Sequence, residues 1–157
     1  MKLYSRVLGE GQPLLIIHGL FGMSDNWQSL AKRYADYFEV HLIDQRNHGR
    51  SPHADEFSYL HLSNDLHQYI LDNQLNDVVI IGHSLGGKTA MQFAVSYPEL
   101  LSKLIIVDIS PRFYPIHHDK IIEGLKMLDF SILKSRSQAD VVLSEYIEEG
   151  DVRQFLL

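Results

Sequence analysis

Four short aliphatic runs, spaced by stretches of helical pattern, constrain this chain more than any other feature. They are Leu14-Leu15-Ile16-Ile17, Val40-His41-Leu42-Ile43, Val78-Val79-Ile80-Ile81 and Leu104-Ile105-Ile106-Val107. Runs of this length, apolar almost throughout, read as strands buried on both faces. Between the first two, Asp25 opens a predicted helix with Gln28 at the capping-box position. Its apolar face is Trp27, Leu30, Ala31, Tyr34 and Phe38, at spacings of three and four. A second helix is predicted over about 58–75, with Leu62, Leu66, Tyr69 and Ile70 on one face. A third runs from Ser84 to Tyr97, where Pro98 disfavours continuation. Strand and helix alternating in this way specify an α/β fold, a mostly parallel sheet with helices on both faces.

The pattern changes after Pro111. From His117 onward it is amphipathic helix, carried by Ile121, Leu125 and Leu128 and then by Val142 and Tyr146. A helix cap is expected at Ser137, with Asp140 three residues on. At 157 residues, 45% hydrophobic and 22% charged, the chain has the composition of a globular protein with a real core. Fourteen Lys and Arg against 20 Asp and Glu leave a net charge of −6, and no basic cluster offsets it. Such a surface is a poor ligand for nucleic acid or for an anionic membrane, so neither is expected as a partner. The absence of Cys excludes a disulfide framework, a thiolate nucleophile and Cys-ligated zinc. No signal-peptide core stands at the N-terminus and no apolar run is long enough to span a bilayer, so a soluble cytoplasmic protein is expected.

The chemistry centres on Gly82-His83-Ser84-Leu85-Gly86. A serine hydroxyl is a weak nucleophile until a base takes its proton. A very tight strand-to-helix turn exposes its oxygen at the edge of the sheet, and small residues two before and two after let the two backbones pass. The G-x-S-x-G string lies between a predicted strand and a predicted helix, the context this motif requires. The rival is a glycine-rich helix start with a capping serine. As nucleophile, Ser84 gains the positive end of the following helix and the backbone N–H of Leu85 as a donor to an oxyanion. If the first predicted strand lies between the second and third, the switch point of the sheet joins the His18-Gly19-Leu20-Phe21-Gly22 loop to Ser84. The N–H of Leu20, with Phe21 as the alternative, is then the second donor; an ordinary glycine turn is the competing explanation. Asp108 ends the strand after the Ser84 helix, and a right-handed crossover sets that strand beside the nucleophile strand. It fits the chain order Ser…Asp…His, against an aspartate that merely caps the next loop.

At these residues the chain resembles the α/β-hydrolase superfamily and, within it, the YbfF-type esterases, relatives of the mammalian abhydrolase-domain proteins. The matching segments are His18-Gly19-Leu20-Phe21-Gly22, Asp44-Gln45-Arg46-Asn47-His48-Gly49-Arg50-Ser51-Pro52, Gly82-His83-Ser84-Leu85-Gly86-Gly87-Lys88 and Val107-Asp108-Ile109-Ser110-Pro111. The resemblance implies an α/β-hydrolase fold with Ser84 as nucleophile, Asp108 as the acid and the His18 loop as half of an oxyanion hole. It also divides the chain into 1–115, the N-terminal part of the hydrolase core, and 116–157, the beginning of a helical cap. The fold is then expected to be incomplete at the C-terminus, because the family's catalytic histidine follows the cap and the last strands.

The expected function is therefore a serine hydrolase cleaving carboxylic ester or thioester bonds through an acyl-enzyme, with no cofactor and a small-molecule acyl substrate. Phe21 in the oxyanion loop and Phe113 before the cap are the substrate-binding candidates; Tyr114, Leu125 and Met127 extend the apolar set. Of the nine histidines, only His117 and His118 follow Asp108, and they are the candidate surrogate bases. His117-His118-Asp119 is not expected to bind metal, since adjacent side chains rarely converge on one ion and no third ligand stands near. The alternatives are a catalytically inactive fragment or binding module lacking the triad histidine, and a C–C hydrolase or lyase on the same fold.

Overall fold

Alternation along the central strands produces two cores, one on each side of a sheet. The computed structural model describes residues 1–114 and 118–157, which divide into two compact units, Met1–Pro111 and Arg112–Leu157. The first unit holds strands β1 (Ser5–Leu8), β2 (Gln12–Ile17), β3 (Phe38–Ile43), β4 (Val78–His83) and β5 (Leu101–Val107) in the spatial order β1-β3-β2-β4-β5. β2, β3, β4 and β5 pair in parallel, and β1 runs antiparallel along β3. Helices α1 (Gln28–Tyr34), α2 (Tyr59–Asp72) and α3 (Leu85–Ser96) connect them. Leu15, Ile17, Val78 and Ile80 face α2 and α3, packing on Leu66, Ile70, Ala90 and Phe93. The alternate residues Leu14, Ile16, Val79 and Ile81 face the other way, with Val40, Leu42 and Ala31 of α1. Because β2 lies between β3 and β4, its two neighbours are reached in opposite directions, which creates the switch point at its carboxyl end.

Two local expectations are corrected here, and one strand is added. Phe38 opens β3, paired with Gln12, rather than closing the helix face. Helix and strand pack on the same side of the sheet, so the spacing of apolar residues runs on across a change of structure. Asp25 lies in a 3₁₀ turn, Ser24–Trp27, and its carboxylate takes Arg6 at 2.8 Å, Arg50 at 3.2 Å and the Gln28 amide at 2.9 Å instead of capping α1. β1 was not foreseen, since two apolar residues in Ser5-Arg6-Val7-Leu8 carry no periodic signal. Pairing with β3 makes it a strand.

The second unit contains α4 (Asp119–Lys126), α5 (Arg136–Ser144) and α6 (Gly150–Leu156). The cap of α5 is Ser135, not Ser137: its hydroxyl accepts from the Gln138 N–H at 3.3 Å, and Gln138 in turn accepts from the Lys134 N–H at 2.7 Å. Asp140 pairs instead with Arg153 of α6 at 2.9 Å, which holds its carboxyl below the usual range. Among the described residues no helix is long and apolar enough to cross a membrane.

Candidate active site

Backbone strain collects at one edge of the sheet. Six non-glycine residues have positive φ among those described, and four of them follow the carboxyl ends of the parallel strands: Phe21 after β2, Asn47 after β3, Ser84 after β4 and Asp108 after β5. Such conformations persist only where the surrounding structure holds them, and they concentrate at functional sites. This edge is also where open α/β sheets bind ligands.

Ser84 has φ 51° and ψ −113°, is partly buried, and stands between the last residue of β4 and the first of α3. Its N–H donates to the Val107 carbonyl of β5 at 3.1 Å, and its carbonyl accepts from the Lys88 N–H at 3.1 Å, closing the first helical turn. The turn is tight enough that two glycines are obligatory. A Cβ on Gly82 would collide with the Gly86 carbonyl, and one on Gly86 with the carbonyl of Ile17 and, at 2.6 Å, with that of His18. The second contact presses α3 directly onto the end of β2.

The loop after β2 lies against this turn. A Cβ on Gly19 would sit 3.3 Å from the Ser84 Cβ and 2.8 Å from His83 Nδ1. Leu20 and Leu85, the residues expected to donate to an oxyanion, flank this contact, one in the loop and one at the start of α3. Among the described residues no hydrogen bond takes up either N–H. The loop is fixed from behind by His18, which is fully buried. Its Nδ1 meets the Gly19 carbonyl at 2.8 Å and its Nε2 accepts the Gln45 N–H at 3.0 Å. Burial pushes the His18 pKa down to about 4, so the ring is neutral near pH 7 and is committed to structure on both nitrogens.

Asp108 also sits where the sequence places it, one residue past β5, whose Val107 is in register with His83 of β4. Its side chain is 84% exposed and faces His83, with Oδ2 3.8 Å from Nε2. The His83 ring is 34% exposed and lies 5.8 Å from that of Trp27. Other histidines are engaged elsewhere: His41 with Tyr69, His48 with the Arg46 carbonyl, His61 with Ser58, and His67 stacked on Tyr97. His117 lies outside the described residues, and His118 immediately precedes α4. Phe21 lies in the loop at φ 62°, whereas Phe113 belongs to the second unit and is 86% exposed.

The segment after β3 is a frame rather than a reacting group. Asp44 is fully buried and accepts from the Ser24 N–H at 2.5 Å and the Arg50 N–H at 2.9 Å. Arg46 forms a bidentate pair with buried Asp65, at 2.5 and 2.9 Å, and donates to the Glu56 carbonyl at 2.6 Å. Sequence reasoning passed over Gln45, buried beside the loop after β2, and Thr89, buried on α3. A polar residue two positions past a strand, inside the Asp44–Pro52 motif, was the available signal for Gln45. Thr89, at i+4 from Leu85 on the buried face of α3, left no trace beyond its spacing.

Comparison with known proteins adds the following. A family model described as the alpha/beta hydrolase fold matches residues 12–132. The chain is 38% identical over 157 residues to the sn-1-specific diacylglycerol lipase of Danio rerio, covering 95% of this chain and 50% of that protein. It is 33% identical over 149 residues to esterase YbfF of Escherichia coli, covering 94% of this chain and 59% of that protein. Among solved structures, a marine microorganism esterase matches with a TM-score of 0.95 at 49% identity, over 99% of this chain and 62% of that one. The chain thus spans between 50% and 59% of the length of these two curated relatives.

Proposed function

The chain belongs to the α/β-hydrolase fold family, and from that premise we propose that Ser84 is the nucleophile of a serine hydrolase acting on carboxylic ester or thioester bonds. The observation that carries this assignment is the backbone of Ser84, held at φ 51° on a strand-to-helix turn with the Gly19 loop against it. Its hydroxyl oxygen attacks the acyl carbonyl carbon, and the proton passes to a histidine oriented by Asp108. In the family pattern that histidine follows the cap. The carbonyl oxygen becomes an oxyanion and accepts from the Leu20 and Leu85 N–H groups, which no protein acceptor occupies among the described residues. The C–O or C–S bond then breaks, and the alcohol or thiol leaves with the histidine's proton. Water attacks the acyl-Ser84 ester in the second half, freeing the acid and restoring the hydroxyl. Phe21, in the loop after β2, is the residue we assign to the acyl group, while Phe113 belongs to the second unit.

A fluorophosphonate probe tests this directly in the full-length protein. Stoichiometric labelling at Ser84, lost in Ser84→Ala, is expected together with steady turnover of short acyl esters. Turnover of simple esters counts against a C–C hydrolase or lyase. Failure to label, with the fold intact by circular dichroism, favours the non-catalytic alternative over the hydrolase assignment.

A further inference from the structure

The two proposed oxyanion donors come from different elements, Leu20 from the loop after β2 and Leu85 from the start of α3. Their separation must be held to a fraction of an ångström for both to reach one oxygen. A single buried side chain bridges the two elements. Gln45, which follows the end of β3, donates through Nε2 to the His18 carbonyl at 2.9 Å and accepts through Oε1 from the Thr89 hydroxyl at 2.7 Å. Its own N–H donates to His18 Nε2 at 3.0 Å, so backbone and side chain grip the same loop residue from two directions. At the other end, Thr89 Oγ1 also lies 3.1 Å from the Leu85 carbonyl, one helical turn back. The hydrogen-bonded bridge therefore runs from the residue before Gly19 to Thr89 on α3, one helical turn after the residue carrying the second donor.

From this geometry we infer that Gln45 is a positioning residue that sets the spacing of the two halves of the oxyanion hole, with Thr89 as its anchor on α3. It touches no substrate. The amide is suited to the task because it must donate to one fixed partner and accept from another at the same time. A carboxylate cannot do both, and an apolar side chain does neither. Gln45 is only 3% exposed, and Thr89 only 1%, so water does not compete for these bonds. The loose alternative, that van der Waals contact alone fixes the spacing, rests on Gly86 pressing against the Ile17 and His18 carbonyls. That contact sets a minimum distance and leaves separation unopposed. The hydrogen-bonded bridge supplies the restraint in the opposite direction.

The inference rests on the hydrolase assignment, and the experiment separates the two. Full-length wild type, Gln45→Met, Gln45→Glu, Thr89→Val and Thr89→Ser are compared for ester kcat and KM, fluorophosphonate labelling rate and melting temperature. Gln45→Met and Thr89→Val keep the volume and lose the bridge. They are expected to lower kcat and the labelling rate by about tenfold or more while KM moves less than about twofold. Thr89→Ser keeps the hydroxyl and is expected to return to within about threefold of wild type. Should Gln45→Met be too unstable to assay, the Thr89→Val and Thr89→Ser pair carries the test, since both conserve the backbone of α3. An active wild type with Thr89→Val and Gln45→Met at wild-type kcat overturns the bridge alone. So does a loss that follows melting temperature equally in Thr89→Ser and Thr89→Val. A folded wild type that neither labels at Ser84 nor turns over esters overturns the hydrolase assignment, and the bridge with it.

Discussion

The two flanks of Ser84 are built on different principles. On the β2 side the frame behind the loop is buried and paired: His18 spends both ring nitrogens on the loop, and Gln45 and Thr89 close a hydrogen-bonded network behind it. On the β5 side Asp108 projects at 84% exposure, and its neighbour is a histidine at 3.8 Å. β5 itself leaves Ile105 46% exposed on the face where Val79 and Ile81 are buried. In the proposed mechanism the inner flank holds the groups that would have to stay fixed, backbone N–H donors above all. The outer flank holds the group that would have to meet a proton carrier. Rigidity is concentrated where a transition state would need fixed dipoles, and accessibility where a base would need to enter.

This division predicts that inner changes disturb folding and chemistry together, while outer changes disturb chemistry alone. Gly86→Ala is the strongest test of the first half. Its Cβ meets two backbone carbonyls that cannot rotate away, so a loss of about 3 kcal/mol or more in urea unfolding is expected, with ester turnover lost alongside. Asp108→Asn tests the second half. Asn tolerates the φ of 55° at this position, and the side chain is mostly in solvent, so stability should stay within about 0.5 kcal/mol. Turnover should nevertheless fall about 10⁴-fold, because the amide no longer orients the imidazole. A large stability loss in Asp108→Asn, or an undisturbed fold in Gly86→Ala, breaks the comparison.

The same contrast explains what could be read from the sequence. β2, β3 and β4 were legible because burial on both faces leaves continuous aliphatic runs, β5 because residues 104–107 keep such a run although Ile105 is exposed, and Ser84 because a tight turn demands glycine at fixed offsets. β1 was invisible: an edge strand of Ser5-Arg6-Val7-Leu8 takes its structure from β3 and carries little pattern of its own. Phe38 misled because a 3–4 spacing and a shared packing face do not reveal where a helix stops. Gln45 and Thr89 were missed for another reason. A frame assembled from residues 18, 45 and 89 is a tertiary object, and no local spacing records a hydrogen bond between positions 44 residues apart.

Acid should distinguish the flanks by a smaller effect. The His18 pKa is about 4 in the folded chain against 6.5 as its ordinary value, so the unfolded chain takes up this proton more readily. Its contribution is complete above pH 6.5 and is lost as pH falls toward 4, an interval worth roughly 3 kcal/mol. His41, also lowered by burial, adds to the loss in the same direction. Urea midpoints measured across this range should therefore decline in wild type and less steeply in His18→Asn. Equal slopes in the two proteins would mean that the inner flank accepts a proton without cost, contrary to its pairing.

The smallest expected effect belongs to His83, which touches both flanks. Its Nε2 faces the Asp108 carboxylate, while its Nδ1 side lies against Gly19 and its ring lies near Trp27. At 3.8 Å from a mostly exposed carboxylate, the ion pair exists only when the ring is protonated and is screened by water. His83→Gln should therefore change unfolding stability by less than about 0.5 kcal/mol at neutral pH. A loss above about 1 kcal/mol at neutral pH would have to come from packing against Gly19 and Trp27, not from charge. His83 would then belong to the buried frame, and the boundary between the flanks would fall at Asp108 rather than at Ser84.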